Sequence, residues 1–361
     1  MAIARIVADR YVIQLPEVVS DSTHGDQPAF ELITVRLTDS DGNEGVGYTY
    51  TGGYGGRAIL SLLRDELIPF VVGKNETDID GVWNAMWWRV HFVGRGGAVS
   101  FAIAAIDTAL WDLRARKAGL PLWKLLGGTN PQVRIYAGGI DLMYPVEKLL
   151  RQTENNLRRG FRAIKMKVGR PNLDEDIARV RAMRQYLGPD IPLMVDANMA
   201  WTVDRTIEAA RRLAECDLVW IEEPLVPEDL DGHIRIAAES PAKIATGENF
   251  HAFHEFAAMI DAGGVHYPEP DLASCGGITV WLKVAEHARR KGLPVTTHGV
   301  HDLHVHLLAA APNASFLEAH GYGLERYMAH PLTLKDGYAI APERPGHGVE
   351  LDWAALDRLK A

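Results

Sequence analysis

The sequence predicts an α/β fold, a parallel (β/α) barrel standing behind an N-terminal α+β domain. Three observations carry this. From about Val133 onward short apolar strands alternate with amphipathic helices, one unit every twenty to thirty residues. The first 125 or so residues have another rhythm, with longer alternating runs that read as antiparallel strands. Finally, nearly every strand of the second part ends in a polar or charged residue: Lys167, Asp196, Glu222, Glu248, Asp271, His298 and Glu318. Barrels of this kind carry their chemistry at the C-terminal ends of the strands.

Taken in order, "IARIVADRYVIQL" and "FELITVRLTDSDGNEGVGYTY" are strands, with "DSDGNEG" as a turn signal between alternating runs. "VSFAIAAIDTALWDLRARKAG" is a helix closed by basic residues and Gly119. These residues, 1–125, form the α+β domain. The barrel strands are "VRIYAG", "RAIKMKV", "PLMVDAN", "LVWIEEP", "KIATGEN", "VHYPEP", "PVTTHG" and "SFLEAH", within residues 126–324. Between them lie helices such as "LDEDIARVRAMRQYLG". There Ile177, Val180 and Leu187 share a face, acids crowd the first turn, and Gly188 with Pro189 ends the helix. Residues 325–361 break the rhythm and are expected to pack back on the N-terminal domain.

Composition bounds the function. The chain has 361 residues, 47% of them apolar, enough for a large core. A net charge of −9 argues against general nucleic-acid binding. The only cysteines, Cys216 and Cys275, have no zinc spacing and are too few for a disulfide scaffold, so buried thiols in a reducing cytoplasm are expected. Neither a signal-peptide core nor a stretch of roughly 18 apolar residues occurs, so no membrane partner is expected.

The strand ends suggest chemistry. Asp196, Glu222 and Glu248 follow one another at intervals of 26 residues, with Val195, Ile221 and Gly247 pointing the other way. On neighbouring strands about 4.8 Å apart, three carboxylates can share one ion. All-oxygen ligation suits Mg²⁺ better than Zn²⁺. Any one of these acids could instead cap the following helix; the set of three favours metal.

Lys165 and Lys167 of "RAIKMKVG" face the same side of one strand, roughly 7 Å apart. Burial beside another ammonium and a divalent ion should lower a lysine's pKa, making one of the two a base near neutral pH while the other remains a cation that holds an anionic oxygen. Asp271 and His298 end neighbouring strands, so the aspartate is expected to bond the histidine and raise its basicity. Lys167 and His298 then face one carbon from opposite sides. A buried Glu318, kept protonated, would donate a hydrogen bond to a developing oxyanion. "HGVHDLHVH" also holds His301, His304 and His306, which raises a zinc site; "VRIYAGG" lacks the H-x-H that would complete one, so packing or the pocket rim is expected of them.

Jointly, "KMK", "VDAN" with Asn198, "WIEEP", "TGEN", "PDLASCGG", "THG" and "FLE" resemble the enolase superfamily in its mandelate racemase subgroup, over nearly the whole chain. The resemblance implies a (β/α)₇β barrel, a modified TIM barrel, with an N-terminal capping domain, and a symmetric homo-oligomer. It implies Mg²⁺ on Asp196, Glu222 and Glu248, binding a substrate carboxylate. Lys167 or His298 then removes the α-proton, and Lys165 and Glu318 help stabilise the enediolate. Its two fates are reprotonation, as in a racemase or epimerase, and loss of a β-hydroxyl, as in a dehydratase.

The covering segment "VVSDSTHGDQPAF", with His24, is polar and suits a polyhydroxy acid. "YTYTGGYGGR" adds Tyr50, Tyr54 and Arg57, and "VGRGG" adds Arg95; an arginine here could hold a distal carboxylate, or Arg57 could simply start a helix. This cap and "HVHLLAAAP" resemble acid-sugar dehydratases of the galactarate and talarate type. The expectation is therefore an Mg²⁺-dependent dehydratase of an aldonic or aldaric acid. The alternatives are a 2-hydroxy-acid racemase and, more remotely, a non-catalytic sugar-acid binder.

Overall fold

The computed structural model describes residues 1–320 and 322–361. Strands β1 (Ile3–Asp21), β2 (Gly25–Asp39) and β3 (Glu44–Thr51) form an antiparallel sheet in that order. The helix Ala98–Lys117 covers this sheet, buried along most of its length because its first sixteen residues are almost all apolar or small. Thr49 Oγ1 donates to the Ala273 carbonyl, and Asp107 accepts from Thr279 N and Oγ1, so this first unit is bonded directly to the second.

The second unit is the parallel barrel. Strands β4 (Gln132–Gly138), β5 (Ile164–Lys167), β6 (Leu193–Asp196), β7 (Leu218–Glu222), β8 (Ile244–Thr246) and β9 (Tyr267–Pro268) pair in sequence order, and β10 (Leu317–His320) pairs parallel with β4. Helices follow the strands, among them Leu173–Leu187, whose first turn holds Asp174, Glu175 and Asp176 and which ends at Gly188. The expected strand "PVTTHG" is not regular. It closes the barrel through one bridge, Val295 with Ala314, and through the Thr296 amide donating to the Pro268 carbonyl. His298 therefore stands on a loop beyond that bridge.

Period-two alternation sorts the barrel side chains. Ile164, Met166, Val195, Ile221 and Ile244 pack outward against the helices. Inside, Tyr136, Met194, Trp220 and Phe316 form a buried aromatic-rich floor. One step of two residues further along the same faces come Asp196, Glu222 and Glu318, so the charged layer lies directly on an apolar one.

The tail divides its contacts. Strands β11 (Thr333–Lys335) and β12 (Tyr338–Ile340) form a hairpin that pairs with the lower half of β4, at Gln132–Arg134. The tail also packs along the N-terminal unit: Arg326 donates to the Gln14 carbonyl, Trp123 Nε1 to the Pro342 carbonyl and the His347 amide to Asp112, and at the extreme end Lys360 bridges Tyr11 with its ammonium 2.8 Å from Asp9. The tail thus touches both the N-terminal unit and the barrel strand β4. The lower edge of β4 is left open by β10, and a hairpin satisfies its backbone groups.

Candidate active site

Register builds the first half of the site. Lys167 pairs with Asp196 and Asp196 with Glu222, placing three charged residues side by side across β5, β6 and β7. Glu248 completes the group from a different footing. It lies beyond β8, after Gly247 at φ 145°, where a Cβ would meet Phe256 at 2.8 Å and the Glu269 backbone at 3.1 Å. One ligand oxygen from each of Asp196, Glu222 and Glu248 lies within 4.8 Å of the others. Buried carboxylates with no thiol or imidazole among the three fit a hard divalent cation such as Mg²⁺.

Strain collects around these ligands. Asn198, Met199 and Glu223 are non-glycine residues at φ 40°, 63° and 37°. Their amides are held: Asn198 N donates to Asp196 Oδ1, Met199 N to the Glu223 carbonyl and Glu223 N to the Ala245 carbonyl. Asn198 lines the pocket, and its Oδ1 is buried without a partner.

The lysines are ion-paired. Lys165 Nζ contacts Glu222 Oε1 closely and lies 2.8 Å from Glu318, while Lys167 Nζ lies 2.5 Å from Asp196. Burial works to lower both pKa values, but Glu222 and Glu318 hold Lys165 well above its usual value, and Asp196 chiefly holds Lys167 above its own. Among the protein groups alone these carboxylates outweigh desolvation; the fall expected above belongs to a site that also holds a divalent ion. Glu318 does correct an expectation. Burial favours its acid form, yet Lys165 and His298 keep it well below the ordinary carboxylate range, so it is an anion and accepts from the Gly299 amide. Glu222 stands on the other side of the balance. Burial and the nearby Asp196, Glu318 and Glu248 push it up to about 8 against the pull of Lys165.

Opposite, His298 Nδ1 lies 3.1 Å from Asp271 Oδ2, and its Nε2 lies 3.1 Å from Glu248 and 3.9 Å from Glu318. Burial disfavours the imidazolium, but Glu248, Glu318 and Asp271 raise its pKa to about 10. Asp271 is also a helix cap, its Oδ1 accepting from Ala273 N. Gly299 has φ 72°, and a Cβ there would meet the Tyr50 hydroxyl at 2.4 Å and Asp271 at 2.5 Å, so this approach requires glycine.

The pocket has a volume of about 330 Å³. Lys167, Asn198, Glu248, Asp271 and His298 line it from the barrel, and His24, Tyr50 and Tyr54 from the cap. The cap segment is the tip of the β1–β2 hairpin rather than a loose loop. Ser22 and Thr23 donate to the Ala197 and Asn198 carbonyls, seating the tip beside the metal strand. Tyr54 is 83% exposed at the rim. Tyr50 is a partner of the histidine pair, donating to Asp271 Oδ2 at 2.7 Å. Arg57 and Arg95 are exposed and line no part of the pocket. The glycine-rich loop ends at Gly55, and the helix Gly56–Ser61 begins there and turns Arg57 outward; Arg95 lies on an exposed turn.

His304 and His306 are buried packing residues, bonded to the Leu272 amide and to the Trp123 amide, while His301 sits on a neighbouring cavity. Sequence reasoning missed Glu269, His320 and Tyr322, while Gln27 belongs to the polar covering segment quoted above. The first two had a signal, since Glu269 lies two residues before Asp271 and His320 two after Glu318, on the same faces. Tyr322 had none.

Residues 1–127 match the family model for the mandelate racemase / muconate lactonizing enzyme N-terminal domain, and residues 148–355 match the enolase C-terminal domain-like model. A 3,6-anhydro-alpha-L-galactonate cycloisomerase of Streptomyces coelicolor is 52% identical over 357 residues, 99% of each chain. An L-talarate/galactarate dehydratase of Salmonella typhimurium is 37% identical, covering 89% of this chain and 80% of that one. A crystal structure of a racemase from Streptomyces coelicolor A3(2) with bound magnesium superposes with a TM-score of 0.97 at 51% identity, over 99% of this chain and 100% of that one.

Proposed function

The chain belongs to the mandelate racemase/muconate lactonizing enzyme family of the enolase superfamily, and from that premise we propose that it opens an anhydro ring in an acid sugar by β-elimination. The observation that carries this reading is the pocket's charge. Lys167 and His298 line it together, yet no lysine or arginine of the cap does, among the described residues. A monocarboxylate fits such a pocket, whereas the second carboxylate of an aldaric acid would find no lysine or arginine at the distal end, and the imidazole of His24 there is already bonded to Asp21. The 52% identical cycloisomerase acts, by its name, on a monocarboxylate with an oxygen bridging C3 and C6.

Asp196, Glu222 and Glu248 would hold Mg²⁺, whose part is to bind the substrate carboxylate, carry enediolate charge and take over oxygens that otherwise keep the lysines protonated. Lys167 removes the proton from C2, and its electrons pass into the carboxylate. Lys165 donates to that oxygen, with Glu318 fixing the ammonium in place. The C3–O bond then breaks. His298, whose imidazolium is favoured by Glu318 and by its bond to Asp271, gives its proton to the departing oxygen. That oxygen stays on C6 as a hydroxyl, and the enol becomes a 2-keto-3-deoxy acid, an isomer of the substrate.

A second reading keeps the same steps with a free β-hydroxyl as leaving group, and the polar hairpin tip at His24 and Gln27 favours it. Incubation with Mg²⁺, 3,6-anhydro-L-galactonate and a set of aldonic and aldaric acids separates the two. A ring-opened product has the mass of its substrate, and a dehydration product is one water lighter. Absence of α-proton exchange into D₂O with every acid sugar, alongside racemisation of an aryl hydroxy acid, would overturn both.

A further inference from the structure

His320 lines the pocket from the barrel side and has no part in the reaction above. On β10 it lies two residues beyond Glu318, on the same face and roughly 7 Å further from the barrel floor. It lines the pocket of Lys167 and His298, and with Ile140 it also lines a neighbouring cavity of about 380 Å³. Its ring is held by aromatic contacts, 4.0 Å from the Tyr322 ring and 5.2 Å from that of His298. Tyr322 is itself tied down by stacking on Phe30 at 5.2 Å and by its hydroxyl, which donates to Gln27. The imidazole thus has a fixed orientation.

What it lacks is a polar partner. Its Nδ1 is buried and unbonded among the described residues. An orphaned buried nitrogen is costly, and such groups concentrate where a ligand completes them. Burial, reinforced by His298, Lys167 and Lys165 and opposed by Glu318, pushes its pKa down to about 3. At neutral pH it is an uncharged ring with one N–H and one bare nitrogen, which matches a hydroxyl that both accepts and donates.

We propose that His320 is a substrate-contacting residue that recognises a hydroxyl on the part of the acid sugar distal to its carboxylate. The ligand class rests on the proposed function. The height of His320 above Glu318 sets which end it meets: Lys165 and Glu318 take the carboxylate end, and a group one strand step nearer the cap meets the distal carbons. Recognition there needs no charge, in keeping with a cap wall that carries no lysine or arginine among the described residues.

The test uses the full-length, Mg²⁺-loaded protein and the substitutions His320→Phe and His320→Gln. Calorimetric binding of a six-carbon aldonate is compared with that of glycerate, which lacks the distal hydroxyls. The Phe variant should bind the long acid roughly ten- to a hundredfold more weakly and glycerate unchanged, and the Gln variant should recover part of the loss. Equal losses on both acids would assign His320 a purely structural role, and unaltered binding of the long acid would remove it from the site; either overturns the proposal. Wild-type protein that binds the long acid without exchanging its α-proton would instead count against the proposed function and leave the binding comparison intact.

Discussion

The two walls of the pocket are built on different physical footings. The barrel wall from Lys167 through Asp196 to Glu222 is a row in register, each residue placed by the backbone ladder of the strand beside it. The cap wall is the tip of a hairpin, held over the barrel by a few hydroxyl-to-carbonyl bonds from Ser22 and Thr23. A ladder fixes charges relative to one another and so sets reactivity. A seated tip fixes only what covers the substrate and so sets affinity. Substitutions should divide along that line.

The largest effect is expected in the row. Glu222→Gln should weaken Mg²⁺ binding, read by calorimetry, by more than the roughly 10–100-fold that loss of an outer-shell partner costs, and turnover should vanish with it. Next come Lys167→Ala and His298→Asn, each lowering kcat by about 10²–10⁴-fold with Mg²⁺ binding retained. Exchange of the α-proton into D₂O should disappear in the lysine variant and persist in the histidine variant. If either variant keeps full turnover, the role assigned to that residue is wrong.

Acid should act on the row as well. Glu222 must be ionised to ligate, and its pKa is raised to about 8, so below that value a proton competes with the metal. Mg²⁺ affinity should fall as pH drops from 8, by up to about tenfold per unit, and level off above it. Affinity that is flat between pH 6 and 8 would mean that Lys165 already keeps Glu222 ionised.

The cap should respond more mildly. Thr23→Ala loosens the tip and should raise KM several-fold, roughly the worth of one hydrogen bond, with kcat nearly unchanged. A large fall in kcat there would erase the contrast between the walls. Smallest of all, Arg57→Ala and Arg95→Ala should leave kcat/KM within about twofold for every acid sugar, because both side chains are exposed surface groups.

The same contrast explains how much was legible. Asp196, Glu222 and Lys167 follow from period two, since a strand face is a local property of the chain. Glu248, Asp271 and His298 lie past regular strands, and their convergence depends on Gly247, on a helix cap and on Gly299. Arg57 misled because a glycine-rich stretch followed by arginine reads equally as a ligand loop or a helix start, and the start at Gly56 turns the side chain to solvent. The protonation state of Glu318 misled for another reason. Burial alone has a known sign, but the winning effect comes from counter-charges whose separation is set by packing.

By itself, then, the sequence determined the barrel, the order of its charged strand ends and the kind of ion they suit, because alternation and residue chemistry are carried by neighbours along the chain. The tertiary structure alone decided which cap residues reach the pocket, which groups hold protons, and that Tyr50 bonds an aspartate 221 residues away. Those outcomes depend on distances between remote segments, and hydrogen bonds and Coulomb energies change steeply over the few ångströms that folding fixes.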